Sequence, residues 1–178
     1  TFLFPRRFQT DEFNLEKLAQ IPGSSRTFET SYTGASHHIE KLKRDAPVSE
    51  VLTLKKGARV MLLVNDPKQR FVNGTCGTVT DIKDGKIKID VTTREIDLEP
   101  MSFSILDDDG FEVASARNFP LNLAYASTIH KIQGATLDRI HVDLKSLWEP
   151  GQAYVALSRV RKGEDVTLSS WSRGSIRT

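Results

Sequence analysis

The sequence predicts an α/β fold, in which a parallel sheet flanked by helices is interrupted by a small antiparallel β module. Two observations predict it. After Pro120, strand and helix patterns alternate, an order that favours parallel pairing through right-handed crossovers. Between Asn73 and Asn118, short alternating segments are separated by turn residues, as is typical of antiparallel hairpins.

The part of the chain before residue 74 contributes the first elements of the α/β domain. Hydrophobic periodicity and turn residues predict a strand at 1–5, a helix capped by Thr10 and ended by Pro22-Gly23, a polar helix at 35–44, and strands at 50–54 and 58–65 around the turn Lys55-Lys56-Gly57.

The later elements divide the chain into two domains. The β module is predicted to contain strands at 77–82, 87–92 and 94–98, with turns at Asp84-Gly85 and Asp108-Asp109-Gly110. The α/β domain then continues with a strand at 121–126, a helix starting near His130, a strand at 140–144, a helix at 151–160 and a strand at 166–170. The α/β domain is therefore expected to comprise residues 1–74 and 119–178, and the β module residues 75–118.

Composition limits the class of protein without identifying it. The chain has 178 residues, 38% of them hydrophobic and 27% charged, as expected of a globular domain with a real core. A net charge of +2 does not by itself indicate a nucleic-acid partner. The lone Cys76 excludes an internal disulfide framework and fits a reducing compartment. We expect an intracellular protein, cytoplasmic in a bacterium, or nuclear or mitochondrial in a eukaryote. We expect no membrane span and no metal site, and the missing initiator methionine suggests a fragment.

The most informative segment is Ser127–Gly134, with the sequence STIHKIQG. Thr128, His130 and Lys131 place a hydroxyl, an imidazole and an ammonium where a strand ends and a helix could begin. Such groups, together with helix N–H groups, grip a nucleic-acid backbone without reading its sequence. The alternative is an ordinary capped helix with a solvated lysine and a structural histidine, which periodicity alone favours.

A second segment, GQAYVALSRV at residues 151–160, is apolar apart from a few residues that include Arg159. A half-buried arginine needs an anionic partner. That partner is either a structural carboxylate, such as Glu149 or Asp143, or a nucleotide phosphate presented by another domain. Out of context the structural ion pair is favoured; in the second case Arg159 would be an arginine finger.

The two segments in this order resemble the fifth and sixth motifs of superfamily 1 helicases, and most closely those of the Pif/RecD-type 5′→3′ DNA helicases. The segments TFLFPRRFQTDEFNLEKLAQIPG and APVSEVLTLKKGARVMLLVNDPKQRFVNGTCGTV are similar to earlier parts of the same family. The resemblance covers nearly the whole chain and is weakest over residues 78–115. It implies a second RecA-like domain carrying an inserted, small Src-homology-like β barrel.

The resemblance also implies roles for individual residues. Thr128, His130 and Lys131 would contact single-stranded DNA, and Arg6 and Arg7 fall where the family has a loop facing DNA or nucleotide. Nucleotide binding would involve three residues near the cleft between domains: Gln133, Gly134 and the catalytic arginine finger Arg159. By the same resemblance, the full-length protein would use ATP and Mg²⁺.

No G-x-x-x-x-G-K-[ST] phosphate loop occurs in the sequence. The resemblance implies that this loop and the carboxylate that holds Mg²⁺ belong to a first RecA-like domain missing from this chain. We therefore expect single-stranded DNA and that N-terminal domain as partners, and no ATP hydrolysis by the isolated chain. Two other classes stay open: a non-enzymatic module that binds single-stranded DNA, and a protein-interaction module built on the β strands.

Overall fold

The computed structural model describes residues 1–92, 94–134, 136–147, 149–172 and 174. The chain divides into two compact units. Unit 1 comprises residues 1–20 and 124–178, and unit 2 comprises residues 21–123, which interrupt unit 1 in sequence. Within the described ranges, no helix is long and apolar enough to cross a membrane.

The described elements are fourteen strands, three α-helices and two short 3₁₀ turns. The strands are β1 Phe2–Phe4, β2 Arg26–Glu29, β3 Ser31–Gly34, β4 Val51–Leu54, β5 Arg59–Leu62, β6 Cys76–Lys83, β7 Lys86–Asp90, β8 Glu95–Leu98, β9 Met101–Leu106, β10 Glu112–Asn118, β11 Leu121–Leu123, β12 Ala126–Thr128, β13 Ile140–Asp143 and β14 Val166–Ser170. The α-helices are α1 Arg7–Ala19, α2 Ser36–Asp45 and α3 Gln152–Leu157.

Unit 1 is built on a parallel sheet of four strands in the order β12-β1-β13-β14. Its two central strands, β1 and β13, are short, and Leu3 and Val142 in them are almost completely buried. The parallel pairing of the four strands agrees with the predicted parallel sheet. The carboxyl ends of β1 and β12 lie side by side, since Phe4 is in register with Thr128.

Helix α1 packs beside strand β12 at one edge of this sheet. Leu18 and Asn14 point inward on the same helical face, because they are four residues apart. The rings of Phe2 and Phe4 pack against Phe13, with centroids 4.5 and 5.5 Å apart. This packing fixes the helix relative to the strand ends that carry the candidate site.

Unit 2 contains three antiparallel sheets. The largest has the strand order β11-β5-β6-β7-β8, and its buried face includes Val60, Leu62 and Ile89. A second sheet, β3-β10-β9, packs against α2 around Leu42 and Ala116. Strands β2 and β4 form a separate pair.

Because of these pairings, unit 2 comprises residues 21–123, whereas the sequence predicted a β module at residues 75–118. Strand β6 pairs with β5, which lies before residue 75, and β5 also pairs with β11, which lies after residue 118. Strand β10 pairs with β3, from the early part of the chain. Turn signals alone mark where hairpins begin and end, but not which distant strands complete the sheet.

Several predicted elements differ in detail. Helix α1 begins at Arg7, so Thr10 does not cap it. Thr10 lies inside the helix, and its hydroxyl donates to the Arg6 carbonyl at 3.3 Å. The predicted strand at 121–126 is divided into β11 and β12, and strands β2 and β3 were not predicted. The segment after Thr128 forms consecutive turns rather than a helix.

Candidate functional site

The candidate site begins where β1 and β12 end. The Ile129 amide donates to the carbonyl of Phe4 at 3.1 Å, which extends the pairing of the two strands by one bond. The chain then enters the turns at residues 129–134. Ile129 and Ile132 are only 1% and 0% exposed, so the apolar side chains hold these turns to the core while the polar ones face outward.

Thr128, His130 and Lys131 differ in their exposure. Thr128 is buried, and its Oγ1 accepts a hydrogen bond from the Lys131 amide at 3.3 Å. His130 and Lys131 are exposed. The threonine hydroxyl therefore stabilises the turn that presents the two basic side chains to solvent.

The ammonium group of Lys131 lies in a basic environment. Its pKa is lowered from the ordinary lysine value, first by desolvation and then by the positive charge of Arg7, while Asp11 raises it. Arg7 is itself paired with Asp11 at 3.5 Å, one helical turn further along α1. Lys131 and Arg7, both predicted to face DNA, are thus near enough for the charge of one to lower the pKa of the other.

Arg6 immediately precedes α1 and is exposed. It is the N-cap residue of the helix, and its side chain does not cap the helix by a hydrogen bond. The first amide groups of α1 lie beside Arg6 and Arg7, and helix N-termini favour anions. Arg6 and Arg7 thus place two cationic side chains at this end of the helix.

His130 contacts Glu149, one of the two carboxylates considered as alternative partners of Arg159. Its Nε2 lies 3.4 Å from Oε2 of Glu149. The same Oε2 accepts a hydrogen bond from Nε2 of Gln152 at 3.0 Å. Glu149 therefore bridges the turn after β12 and the first residue of α3, and it is not paired with Arg159.

Gln133 and Gly134 close the turns. The Gln133 amide donates to the carbonyl of His130 at 3.2 Å. Gly134 has φ +84°, a left-handed conformation that glycine adopts without strain. A Cβ at this glycine would meet no atom within 4 Å, so the backbone here faces open space within the described structure.

Arg159 follows α3 and is half-buried. Its Nε donates to the carbonyl of Val155 and its Nη2 to Oγ of Ser158, both at 2.9 Å. Among the described residues it forms no ion pair with a carboxylate. Asp143, the other predicted partner, accepts from the Lys145 amide and from the Ser170 hydroxyl. The guanidinium is thus folded back on its own helix.

One backbone contact joins the two predicted motifs. The Leu137 amide donates to the carbonyl of Arg159 at 2.8 Å. Leu137 is only 4% exposed, so this hydrogen bond lies at the edge of the core. Sequence reasoning missed this contact and the Glu149 bridge, because no local periodicity indicates which residues of separate segments will meet.

Comparison with protein families supports the resemblance on which the site was predicted. A family described as "DNA helicase Pif1, 2B domain" matches residues 38–82. An ATP-dependent DNA helicase Pif1 of Bdellovibrio bacteriovorus is 49% identical over 99% of this chain and 40% of its own length. The ATP-dependent DNA helicase PIF1 of Danio rerio is 36% identical over 87% of this chain and 25% of its own length.

Solved structures give the same result. A Pif1 helicase from Candida albicans superposes with a TM-score of 0.86 at 30% identity, and covers 99% of this chain and 46% of its own. Unliganded Pif1 from Bacteroides sp has a TM-score of 0.85 at 31% identity, over 99% of this chain and 42% of its own. The chain therefore matches Pif1 helicases over almost its whole length, and it spans less than half the length of these relatives.

Proposed function

We propose that this chain is the C-terminal portion of an ATP-dependent 5′→3′ DNA helicase. In this proposal unit 1 is the second RecA-like domain, and the five-stranded sheet of unit 2 belongs to a small Src-homology-like barrel. The portion supplies contacts to single-stranded DNA and one catalytic residue of an ATP site shared with another domain. The observation that carries the proposal is that Arg159 is half-buried and, among the described residues, bonded only to neutral acceptors. The turns at residues 129–134, which present basic side chains to solvent, support it.

Arg159 has the properties of an arginine finger. It is half-buried, and the described residues offer it neutral hydrogen-bond acceptors rather than a carboxylate. A half-buried guanidinium without a counter-charge is unfavourable, and an incoming phosphate relieves this cost. Phosphoryl transfer gains most from a cation that meets charge developing on the γ-phosphate, which is the role we assign to Arg159.

The turns at residues 129–134 are suited to hold a DNA backbone. His130, Lys131 and Arg7 place cationic or protonatable groups around the strand ends, and Thr128 supports the turn beneath them. Contacts of this type bind phosphates and carry no base sequence information. Two solved relatives bear on this point: one is Bacteroides Pif1 bound to ssDNA, and the other is Bacteroides Pif1 in complex with ADP-AlF3 and ssDNA.

ATP and Mg²⁺ belong to the full-length protein in this proposal. The sequence has no phosphate loop, and we assign the residues that grip the β- and γ-phosphates and hold Mg²⁺ to the first RecA-like domain of the full-length protein. From this chain, Gln133 and Gly134 lie near the nucleotide, where the open backbone at Gly134 permits close approach. ATP binding would draw the two domains together, and hydrolysis would release the grip of the turns on DNA.

The test is ATP hydrolysis and strand separation by the full-length protein, with and without single-stranded DNA. DNA-stimulated hydrolysis that depends on Arg159 is the expected result. A full-length protein that binds single-stranded DNA without hydrolysing ATP would be a binding module instead. The purified chain alone is expected to release no phosphate, and turnover by the chain that Arg159→Ala abolishes would contradict the shared-site assignment.

A further inference from the structure

Glu149 connects the candidate DNA contact with the helix that leads to Arg159. One carboxylate oxygen, Oε2, lies 3.4 Å from Nε2 of His130 and 3.0 Å from Nε2 of Gln152. His130 is exposed, whereas Gln152 is only 4% exposed and is the first residue of α3. A surface group and a buried group therefore share the same acceptor.

A second connection lies at the other end of α3. The Arg159 amide donates to the carbonyl of Ala156 at 3.2 Å, so Arg159 continues the last turn of the helix. Its own carbonyl accepts from the Leu137 amide at 2.8 Å. Helix α3 has six residues and two of its buried side chains, Ala153 and Ala156, are small. Gln152 and Arg159 therefore lie at the two ends of one short helical segment.

A DNA phosphate at His130 changes the charge balance at Glu149. Phosphate and carboxylate are both anions, and both bind the same imidazole edge, so they repel each other and compete for it. Glu149 displaced from His130 keeps Gln152 as its partner and carries that partner with it. The contact with DNA is thereby converted into a displacement at the start of α3.

We propose that Glu149 is a positioning residue that couples the occupancy of His130 by DNA to the placement of Arg159. The inference rests on the proposed function, because it presupposes that DNA meets His130 and that ATP meets Arg159. Glu149 itself touches neither ligand in this proposal. A change at Glu149 should therefore alter the stimulation of ATP hydrolysis by DNA and leave the rate without DNA unchanged.

The experiment compares variants of the full-length protein in steady-state ATP hydrolysis, without DNA and with saturating oligothymidylate. Glu149→Gln keeps an acceptor for Gln152 but removes the negative charge beside His130. We expect DNA stimulation of kcat to fall by about tenfold, a typical allosteric coupling. The basal rate and the KM for ATP should stay at the wild-type level, and the affinity for oligothymidylate should stay equal or rise. Glu164→Gln is the matched control, because Glu164 is an exposed carboxylate of unit 1 paired with Lys162.

Glu149→Asp is the second variant, since it keeps the charge and restores part of the stimulation if charge is the cause. A loss in Glu149→Gln that Glu149→Asp partly restores supports the proposal. Wild-type stimulation in Glu149→Gln overturns it, and so does an equal fall of basal and stimulated rates in both variants, which marks a merely structural role. Failure of the proposed function looks different: the wild-type protein shows no DNA-stimulated hydrolysis, or Arg159→Ala retains it.

Discussion

The side-chain amide of Asn14 exchanges two hydrogen bonds with the backbone of Ala126. Its Nδ2 donates to the Ala126 carbonyl at 3.0 Å, and the Ala126 amide donates to its Oδ1 at 2.8 Å. Ala126 begins β12, the edge strand of the parallel sheet, and β12 ends at Thr128. A buried residue of α1 thus satisfies the backbone of the strand that leads into the candidate DNA contact.

Asn14→Ala should destabilise unit 1, because it leaves a buried N–H and a buried C=O without partners. Each such group costs about 1–3 kcal/mol, so for the two groups we expect a loss of about 2–6 kcal/mol in the free energy of unfolding. Urea denaturation followed by circular dichroism measures it. Glu12→Ala is the control, since Glu12 is exposed on the same helix. A loss no greater than that of the control would show that water replaces both bonds.

The fold was predictable where local pattern decides it. The parallel sheet, helix 36–45 and the hairpin at Asp84-Gly85 follow from periodicity and turn chemistry, and the structure has them. Strands β2 and β3 were missed because they are short, polar and mostly exposed, which leaves no hydrophobic alternation to detect. Only their partners in distant segments, β4 and β10, define them as strands.

In the candidate site, too, local sequence predicts the motifs, but only the tertiary fold decides which residues meet. The sequence indicated Lys131 and Arg159 through motifs, and the structure shows what surrounds them. The sequence did not indicate that Thr128 is buried, or that Glu149 pairs with His130 instead of Arg159. A carboxylate near several cations in sequence has several candidate partners, and only the tertiary fold selects one.

A second prediction concerns Asp66, whose side chain is buried against Arg70. Arg70 donates to it from Nε at 2.6 Å, from Nη2 at 3.1 Å and from the backbone amide at 3.0 Å. Hydrogen bonds from Arg70 lower the pKa of Asp66 to about 2, against the opposing effect of burial. The shift of nearly two pH units corresponds to about 2 kcal/mol of stability.

Because the folded-state pKa is depressed, this stability is present above the unfolded-state pKa near 4 and is lost as pH falls towards 2. Asp66→Asn should therefore unfold at lower urea concentration than wild type at pH 7, and the difference should shrink between about pH 4 and pH 2. Asp108→Asn, which removes an exposed carboxylate of unit 2, is the control. A pH-independent difference would mean that Asp66 acts through packing.

A third prediction concerns Arg159 in the full-length protein. Arg159→Ala should lower kcat for DNA-stimulated ATP hydrolysis by about 10³-fold, because arginine fingers act on the charge of the transition state. The KM for ATP should change far less. Arg159→Lys should recover little, since a single ammonium does not reproduce the planar fork. Activity within a few-fold of wild type in a variant with unchanged Tm would make Arg159 structural.

The last prediction concerns DNA binding by the full-length protein across a salt series. If Lys131 contacts a phosphate, Lys131→Ala should weaken binding to all sequences alike and reduce the slope of log K against log[salt] by roughly 0.7, the value for one contact to a single strand. Thr128→Ala should weaken binding with almost no change of slope. Its hydroxyl accepts from the Lys131 amide and displaces no counterion, so it acts through the turn.

Fluorescence anisotropy with labelled oligonucleotides of different sequence measures both quantities. Lys162→Ala is the matched control, because Lys162 is an exposed lysine of unit 1 paired with Glu164. It should leave affinity and slope close to wild type. Base-dependent losses in Lys131→Ala would indicate contact with bases instead of phosphates. Wild-type affinity in both Lys131→Ala and Thr128→Ala would mean that residues 128–134 form an ordinary structural turn, and the DNA-binding role would be withdrawn.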